Sequence, residues 1–562
     1  MEKVWLKSYP PGVPAEIDPH VFGSLNDITE QSFKKFAARS AFVQMGRELT
    51  FGELDALSRD FAAWLQTVAG LRKGDRVAIM LPNCLQYPVA MFGILRAGLV
   101  VVNTNPLYTA RELEHQLKDS GAQAIVILEN FAHVLQDVIA KTAVRKVLVT
   151  AVGDMLSWPK SWLVNFVVRH KRKQVRPWSI LGALDFRDAL KAGRDMRVSP
   201  VRLAHSDLAF LQYTGGTTGV SKGAMLTHGN IVANIVQAHA FIAPFFPKEA
   251  AVAVTPLPMY HIFALTGNAL LFVLLGWNNV LITNPRDFPA FIAELRKYPF
   301  AFLSGVNTLF NALLNTPGFE RLDFSHLLVT LGGGMAVQAA VAERWKKVTG
   351  KVLTQAWGLT ETSPGACINP IGADFNGSIG LPIPSTEVAI MDDDGKELAI
   401  GAVGEICVRG PQVMAGYWNR PDETAKVMLP GGWLRTGDIG HVDEKGFVFI
   451  EDRKKDMILV SGFNVYPNEV ESVIVTHPGV LEAAAVAQAD EHSGEVVALF
   501  IVRKDPSLTE QDIVAHAKKS LTGYKVPKHV YFRKELPKTN VGKILRRALR
   551  DELTAPSPSQ AK

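Results

Sequence analysis

The stretch from Leu208 to Gly223, LAFLQYTGGTTGVSKG, constrains this chain more than any other. Its apolar opening, Leu208 to Leu211, reads as a buried strand. Four glycines, five hydroxyl side chains counting Tyr213, and one lysine then occur before a helical pattern starts near Thr227. Glycines let backbone N–H groups approach an anion, the hydroxyls donate further hydrogen bonds, and Lys222 adds a compact positive charge. The combination predicts a phosphate cradle at the end of a buried strand. A surface turn rich in Gly and Thr would be the better reading of an isolated GxxG, and the density of donors argues against it here. A Walker A loop needs Gly-Lys followed by Ser or Thr, whereas Lys222 precedes Gly223. A nucleotide is expected, held by something other than a P-loop NTPase.

The first 120 residues alternate helical and strand patterns: FGELDALSRDFAAWLQ, DRVAIML, VAMFGILRAG and LVVVNTNPLY. AQAIVIL and VRKVLVTAV continue the series, which is the pattern of α/β layers with mostly parallel strands. At 562 residues the chain is long enough for two or more domains. Its net charge of +6 is mild over that length, and no Lys/Arg array with interleaved aromatics argues for nucleic acid. Cys84, Cys367 and Cys407 are too few and too scattered for a disulfide framework or a metal cluster, which points to a reducing, cytoplasmic setting. The N-terminal residues carry charges and prolines where a signal peptide needs an apolar core.

Two segments bear on membranes. Phe263 to Ile282 has twenty residues without a formal charge, but Gly276-Trp277-Asn278-Asn279 divides it, so a buried helix followed by a core strand is expected. Met155 to Leu184 contains no acidic residue, and Lys160, Arg169, Lys171, Arg172, Lys173 and Arg176 accompany Trp158, Trp162, Phe166 and Trp178. That is the composition of a membrane-surface segment, so peripheral contact with the inner face of the cytoplasmic membrane through residues 158–178 is one reading. A solvated helix whose aromatics dock on the core is the other.

Further along, HLLVTLGGGMAV runs from a strand into Gly332, Gly333 and Gly334, and VLTQAWGLTET follows with Trp357, Gly358, Thr360 and Glu361. Two strand ends that both carry glycine loops suggest a cleft at the carboxyl edge of a sheet. His261, in TPLPMYHIFA, falls between the Gly-rich stretches and is a candidate wall of the substrate site. Residues 401–452 read as a small β-rich subdomain with Gly-rich turns. Five consecutive charges, Asp452 to Asp456, then read as a linker, and residues 456–553 as a compact α+β unit. Residues 554–562 read as a disordered tail.

YTGGTTGVSKG, WGLTE, TGD, DRKKD and PKTNVGK together resemble the motifs of the adenylate-forming superfamily of acyl-CoA synthetases, luciferases and adenylation domains, in the family's order and over nearly the whole chain. The runs around RTGDIGHVDEKGFVFIEDRKKD and LPKTNVGKILRR are most similar to the long-chain fatty acyl-CoA synthetases of that family. The resemblance implies a large N-terminal domain (1–454), a hinge at Lys455 and a mobile C-terminal domain. It implies that a fatty carboxylate attacks the α-phosphate of Mg-ATP to give acyl-AMP and pyrophosphate, and that coenzyme A then displaces AMP. Tyr213, Thr214, Gly215, Gly216, Thr217, Thr218, Gly219, Val220, Ser221, Lys222, Gly223 and Ala224 would hold the phosphates. Glu361 would bind Mg²⁺ with Thr214 nearby. Trp357, Gly358 and Thr360 would lie by the adenine, Gly332 to Gly334 between adenine and acyl chain, and Asp438 and Arg453 at the ribose. Lys543 would be the catalytic lysine, His261 and Gly334 would border the acyl group, and Gly462 would line the coenzyme A tunnel after the small domain rotates. One departure is Trp357, where the family usually has Tyr.

Ligases for medium-chain or aromatic acids remain open on the same scaffold, and so does a homodimer. A carrier-protein adenylation domain is disfavoured because only about twenty residues follow Lys543. Luciferase-type oxidation has no positive support in the motifs. A membrane-associated fatty-acid-binding protein would explain the basic aromatic stretch but not the set of ATP motifs.

Overall fold

A computed structural model describes residues 2–214, 221–247, 249–490, 492–539 and 542–554. Two large, mostly parallel sheets form the bulk of the molecule. One has seven strands and places Leu208–Thr214 between Val100–Asn103 and the antiparallel Lys222–Thr227. The other has nine strands, in which Phe300–Gly305, Val329–Gly332 and Leu353–Gly358 are parallel neighbours. Their central strands are unbroken apolar runs: Ala124–Leu128 and Phe300–Gly305 are buried at every residue. A strand covered on both faces has no solvent side for polar residues, which is why these segments do not alternate. Helix Gln86–Arg96 is also buried along its whole length, so layers pack on every face of it.

The uncharged segment 263–282 forms short buried helical turns from Ile262 to Leu275, then the core strand Asn278–Leu281. Among the described residues no helix is long and apolar enough to cross a membrane.

A separate five-stranded sheet contains Glu387–Met391, Gly404–Arg409, Met428–Leu429, Trp433–Val442 and Val448–Arg453. It therefore begins upstream of residue 401, the start read from the turn-rich sequence, because Glu387–Met391 pairs with Gly404–Arg409 across that first turn. Beyond it, Ile458–Val460, Phe463–Val465, Val480–Asp490, Gly494–Arg503 and His529–Arg533 form a sheet with its own apolar core. The helices Pro467–Ile474, Glu510–Ala517 and Arg546–Thr554 accompany it. The charged run 452–456, read from sequence as a linker, is partly built into the fold: Asp452 and Asp456 are buried and Asp452 and Arg453 belong to a strand, while Lys454 and Lys455 are exposed. Residues 555–562, read from sequence as a tail, lie outside the described residues.

Candidate active site

The carboxyl ends of three neighbouring strands in the nine-stranded sheet supply one wall. Phe300–Gly305 leads to Val306, Val329–Gly332 to the triple glycine, and Leu353–Gly358 to Thr360 and Glu361. The glycines are there because nothing larger fits. A Cβ on Gly332 would stand 2.6 Å from Leu353 Cδ2, and one on Gly333 would stand 2.9 Å from the Ala356 carbonyl. Gly334 has φ of +77°, and a Cβ there would lie 3.3 Å from Cε and 3.8 Å from Nζ of Lys543.

Lys543 thus reaches the triple glycine from the C-terminal unit. A tight turn presents it: Thr539 N–H donates to the Lys543 carbonyl at 2.7 Å, and Lys543 N–H donates to Thr539 Oγ1 at 3.0 Å. Thr308 Oγ1 of the large domain donates to the Gly542 carbonyl at 3.0 Å and fixes the turn against helix Asn307–Leu314. Burial pulls the Lys543 ammonium down to about 8; Arg453 and Lys455 push the same way, while Asp438 and Glu361 oppose them.

The β-rich sheet supplies the next wall. Trp433–Val442 alternates strictly between half-buried and buried residues, and Asp438 falls on the buried phase with Leu434 and Val442. A carboxylate there needs partners. Arg453 lies directly opposite on the neighbouring strand and its Nε is 2.6 Å from Asp438 Oδ1. Trp357 Nε1 donates to Oδ2 at 2.9 Å. The Trp357 indole is therefore tied to this carboxylate, a bond that a phenol ring in its place would not make by the same atom.

On the phosphate side, Thr214 pairs with Lys222 and Tyr213 with Gly223 across the two strands that flank the loop. Tyr213 Oη donates to Asp119 at 2.6 Å, and burial together with that carboxylate raises the phenol well above its ordinary value. Thr214 Oγ1 donates to the Lys222 carbonyl at 3.5 Å, and the Ser221 carbonyl meets His115 Nε2 at 2.9 Å. Ala224 is fully buried and bridges to Tyr417. Lys222 Nζ pairs with Glu423 at 2.7 Å and sits 4.5 Å from the Tyr417 ring centre. Gly215, Gly216, Thr217, Thr218, Gly219 and Val220 lie outside the described residues.

Glu361 accepts a 2.7 Å hydrogen bond from Tyr417 Oη and borders a cleft of about 400 Å³ with Tyr417, Arg435, Thr436 and Gly437. His261 caps the helical segment that starts at Ile262, its Nδ1 accepting from Phe263 N–H at 3.3 Å. Burial and then the Lys543 ammonium hold this imidazole at about 3, so it is neutral in ordinary conditions.

The structure thus gathers Gly332 to Gly334, Trp357, Glu361, Asp438, Arg453, His261 and Lys543, with Lys455 close enough to act on Lys543. It leaves Gly462 apart: no atom lies within 4 Å of where its Cβ would be, and the adjoining Phe463 is exposed and stacks on Tyr524 at 5.0 Å. Sequence reasoning missed Tyr417, Glu423 and Asp119, which partner the site's charges and hydroxyls. The alternation in WLRTGDIGHV was the available signal that Asp438 is buried. Nothing near Tyr417 or Glu423 in the sequence points to their partners, which are 56 and 201 residues away.

The family model described as "AMP-binding enzyme" matches residues 29–418, and "AMP-binding enzyme C-terminal domain" matches residues 469–543. A "Long-chain-fatty-acid--CoA ligase" of Escherichia coli O157:H7 is 59% identical, over 98% of each chain. A protein of the same description from Haemophilus influenzae is 51% identical, over 99% of this chain and 100% of its own. Among solved structures, ATP-bound MatB from Rhodopseudomonas palustris superposes with a TM-score of 0.81 at 28% identity, over 94% of this chain and 99% of that one.

Proposed function

The chain belongs to the AMP-binding enzyme family, and on that premise we propose that it joins a long-chain fatty acid to coenzyme A at the expense of ATP. In the first half-reaction a carboxylate oxygen bonds to the α-phosphorus and the bond to pyrophosphate breaks. In the second, the thiol sulfur of coenzyme A bonds to the acyl carbon and AMP leaves. The observation that carries this reading is Lys543, delivered from one folded unit onto Gly334 of another, beside Glu361, Asp438 and Arg453. Carboxylate and phosphate repel one another, so the barrier is largely electrostatic, and an ammonium facing both lowers it. The long-chain assignment draws on the identity to ligases of that description over nearly the full length.

Asp438 accepts from the ribose hydroxyls, with Arg453 and Trp357 fixing its carboxylate. The triple glycine lets adenine and the acyl group lie directly on the backbone. Neutral His261 borders the acyl side without adding charge. For Mg²⁺ the residues fit: a single half-buried carboxylate, Glu361, oriented by the Tyr417 hydroxyl, suits a hard cation that takes its remaining ligands from phosphates and water. Bound there, Mg²⁺ would neutralise phosphate charge. The test is an acid panel from C4 to C18 plus an aromatic acid, following AMP release with and without coenzyme A. CoA-dependent turnover that peaks at C12–C18 is expected, and preference for the aromatic acid overturns the substrate class.

A specific observation also favours peripheral membrane contact. Helix Lys160–Phe166 and its continuation to Lys171 have no buried residue, so Trp162 and Phe166 stand off the core, whereas Trp178 packs against it. Trp158 and Trp162 are 85% and 62% exposed, and Trp162 stacks on Phe166 at 5.2 Å. Lys171, Arg172 and Lys173 follow, all exposed. Arg169 pairs with Glu129 at 2.8 Å, but exposed Trp and Phe beside the exposed run Lys171, Arg172 and Lys173 suit an anionic lipid surface. Replacing Lys171, Arg172 and Lys173 by Glu should abolish co-sedimentation with anionic liposomes; unchanged binding would sink this reading.

A further inference from the structure

The helix that follows Lys543, Arg546–Thr554, carries two arginines one turn apart, and both face the strand end and turn around Lys455. Arg546 is anchored within the C-terminal unit. Its Nε and Nη2 donate to Glu471 at 2.8 to 3.0 Å, and Nη2 also donates to Asn468 Oδ1 at 2.7 Å. Its remaining nitrogen, Nη1, lies 3.6 Å from Asp452 and 3.7 Å from Asp456, one carboxylate on each side of Lys455. Arg550 donates to the Lys455 carbonyl at 3.2 Å and to Asp456 at 2.9 Å.

Asp452 is the link between the two bodies. It lies on strand Val448–Arg453 of the β-rich sheet, next to Arg453, and its side chain is fully buried. Its Oδ2 accepts from Asn468 N–H of the C-terminal unit at 2.7 Å. A carboxylate in that position, with a guanidinium and an amide from the other unit aimed at it, is costly to bury unless both stay in place. Lys543 is three residues before Arg546, so whatever fixes Arg546 against Asp452 also fixes where the lysine turn stands relative to Asp438 and Arg453.

We propose that Asp452 is a positioning residue for the adenylation half-reaction, acting through Arg546 on Lys543, with Arg550 and Asp456 holding the turn at Lys455 in the geometry this requires. The inference rests on the reading of Lys543 given above. Misplacing a catalytic group by about 1 Å can cost roughly 100-fold in rate. Asp452→Asn can keep one oxygen as the acceptor for Asn468 N–H; it removes the charge that faces Arg546 and puts an amide NH2 where Oδ1 accepts from Arg453 N–H at 2.7 Å. It should slow acyl-AMP formation about 10- to 100-fold. Thioester formation from supplied acyl-AMP should change less than about twofold, because Lys543 has no part in that step.

The experiment measures both half-reactions by rapid quench for the full chain and for Asp452→Asn, Lys543→Ala and the double variant. In the Lys543→Ala background Asp452→Asn should cost nothing further in adenylation, since the group it positions is gone. Equal loss in both half-reactions, or the same loss with and without Lys543, assigns Asp452 a general structural role and overturns the proposal. If Lys543→Ala alone leaves adenylation intact, the reading of Lys543 itself fails, a separate result. Should Asp452→Asn not fold, Arg550→Gln, at a less buried site, carries the same test and the same asymmetric expectation.

Discussion

Lys543 offers the sharpest quantitative test, because in the role proposed for it the ammonium must be charged, and its surroundings bring its titration within reach. With its ionisation at about 8, the charged fraction in the free enzyme is about 0.9 at pH 7, about 0.5 at pH 8 and about 0.1 at pH 9. The direction follows from burial, which disfavours the charged form, assisted by Arg453 and Lys455 and opposed by Asp438 and Glu361. The adenylation kcat/KM, which reports the free enzyme, should therefore fall about tenfold from pH 7 to pH 9. Bound phosphates favour the ammonium, so the kcat profile should break at a higher pH than that of kcat/KM. The assay is acyl-AMP formation without coenzyme A, by rapid quench, with Lys543→Ala measured in parallel. The variant should be slower by roughly 100- to 1,000-fold at pH 7 and should lack the alkaline limb, which also removes substrate titration from the comparison. Wild-type kcat/KM that stays flat from pH 7 to 9.5, or a variant that keeps the same limb, would refute the assignment. A new inflection near neutrality from His261 is not expected, since burial holds it at about 3.

Trp357→Phe removes the indole N–H from Asp438 while Arg453 remains. A hydrogen bond to a charged group contributes about 1.5–3 kcal/mol, so KM for ATP should rise roughly 10- to 100-fold in steady-state assays. Gly358→Ala would drive a Cβ into the Pro364 carbonyl where Leu353–Gly358 pairs with Gly365–Ile368. We expect a loss of about 1–3 kcal/mol in thermal or denaturant unfolding, together with weakened Mg-ATP use because Glu361 lies in the turn just beyond this strand end. If Lys455 is the hinge that the resemblance implies, Lys455→Pro should impair thioester formation from acyl-AMP more than adenylation; equal thioester rates would count against the hinge.

The parts of this molecule that were legible in the sequence are those decided locally. The buried strand Leu208–Thr214, the triple glycine and the alternation of helices and strands are written in short windows of apolar periodicity and glycine. The division of 263–282 by Gly276-Trp277-Asn278-Asn279 is local in the same sense. What escaped was set by distant partners. A run of five charges reads as a linker, yet Asp452 is buried because Arg546 and Asn468, from beyond the turn, close over it. The aromatics at 158–166 could equally have docked on a core, and only the tertiary arrangement shows that they do not. The role expected for Lys543 came from resemblance; its proximity to Gly334 depends on how two separate units pack, which no window of sequence contains.

The partners of the site's charges separate Lys543 from the rest. Lys222 is matched by Glu423, Asp438 by Arg453 and Trp357, and Glu361 by the Tyr417 hydroxyl, so each already has its charge or lone pairs answered within the protein. Among the described residues the Lys543 ammonium has no ion-pair partner, and burial, with Arg453 and Lys455 beside it, lowers its ionisation further than Asp438 and Glu361 restore it. A displacement from 10.5 to about 8 corresponds to roughly 3 kcal/mol against keeping the charge there. Anionic substrates remove that penalty when they arrive, and by linkage the same free energy favours the arrangement that brings Lys543 to Gly334. Once pyrophosphate has left and the carboxylate is tied up in the mixed anhydride with AMP, two of the anions that favoured it are gone. The preference for this arrangement then weakens at the point where the resemblance implies that the exposed turn at Gly462 approaches. A lysine left unmatched by the protein can thus couple the progress of the reaction to the position of a whole folded unit, which a fully paired one would do only weakly.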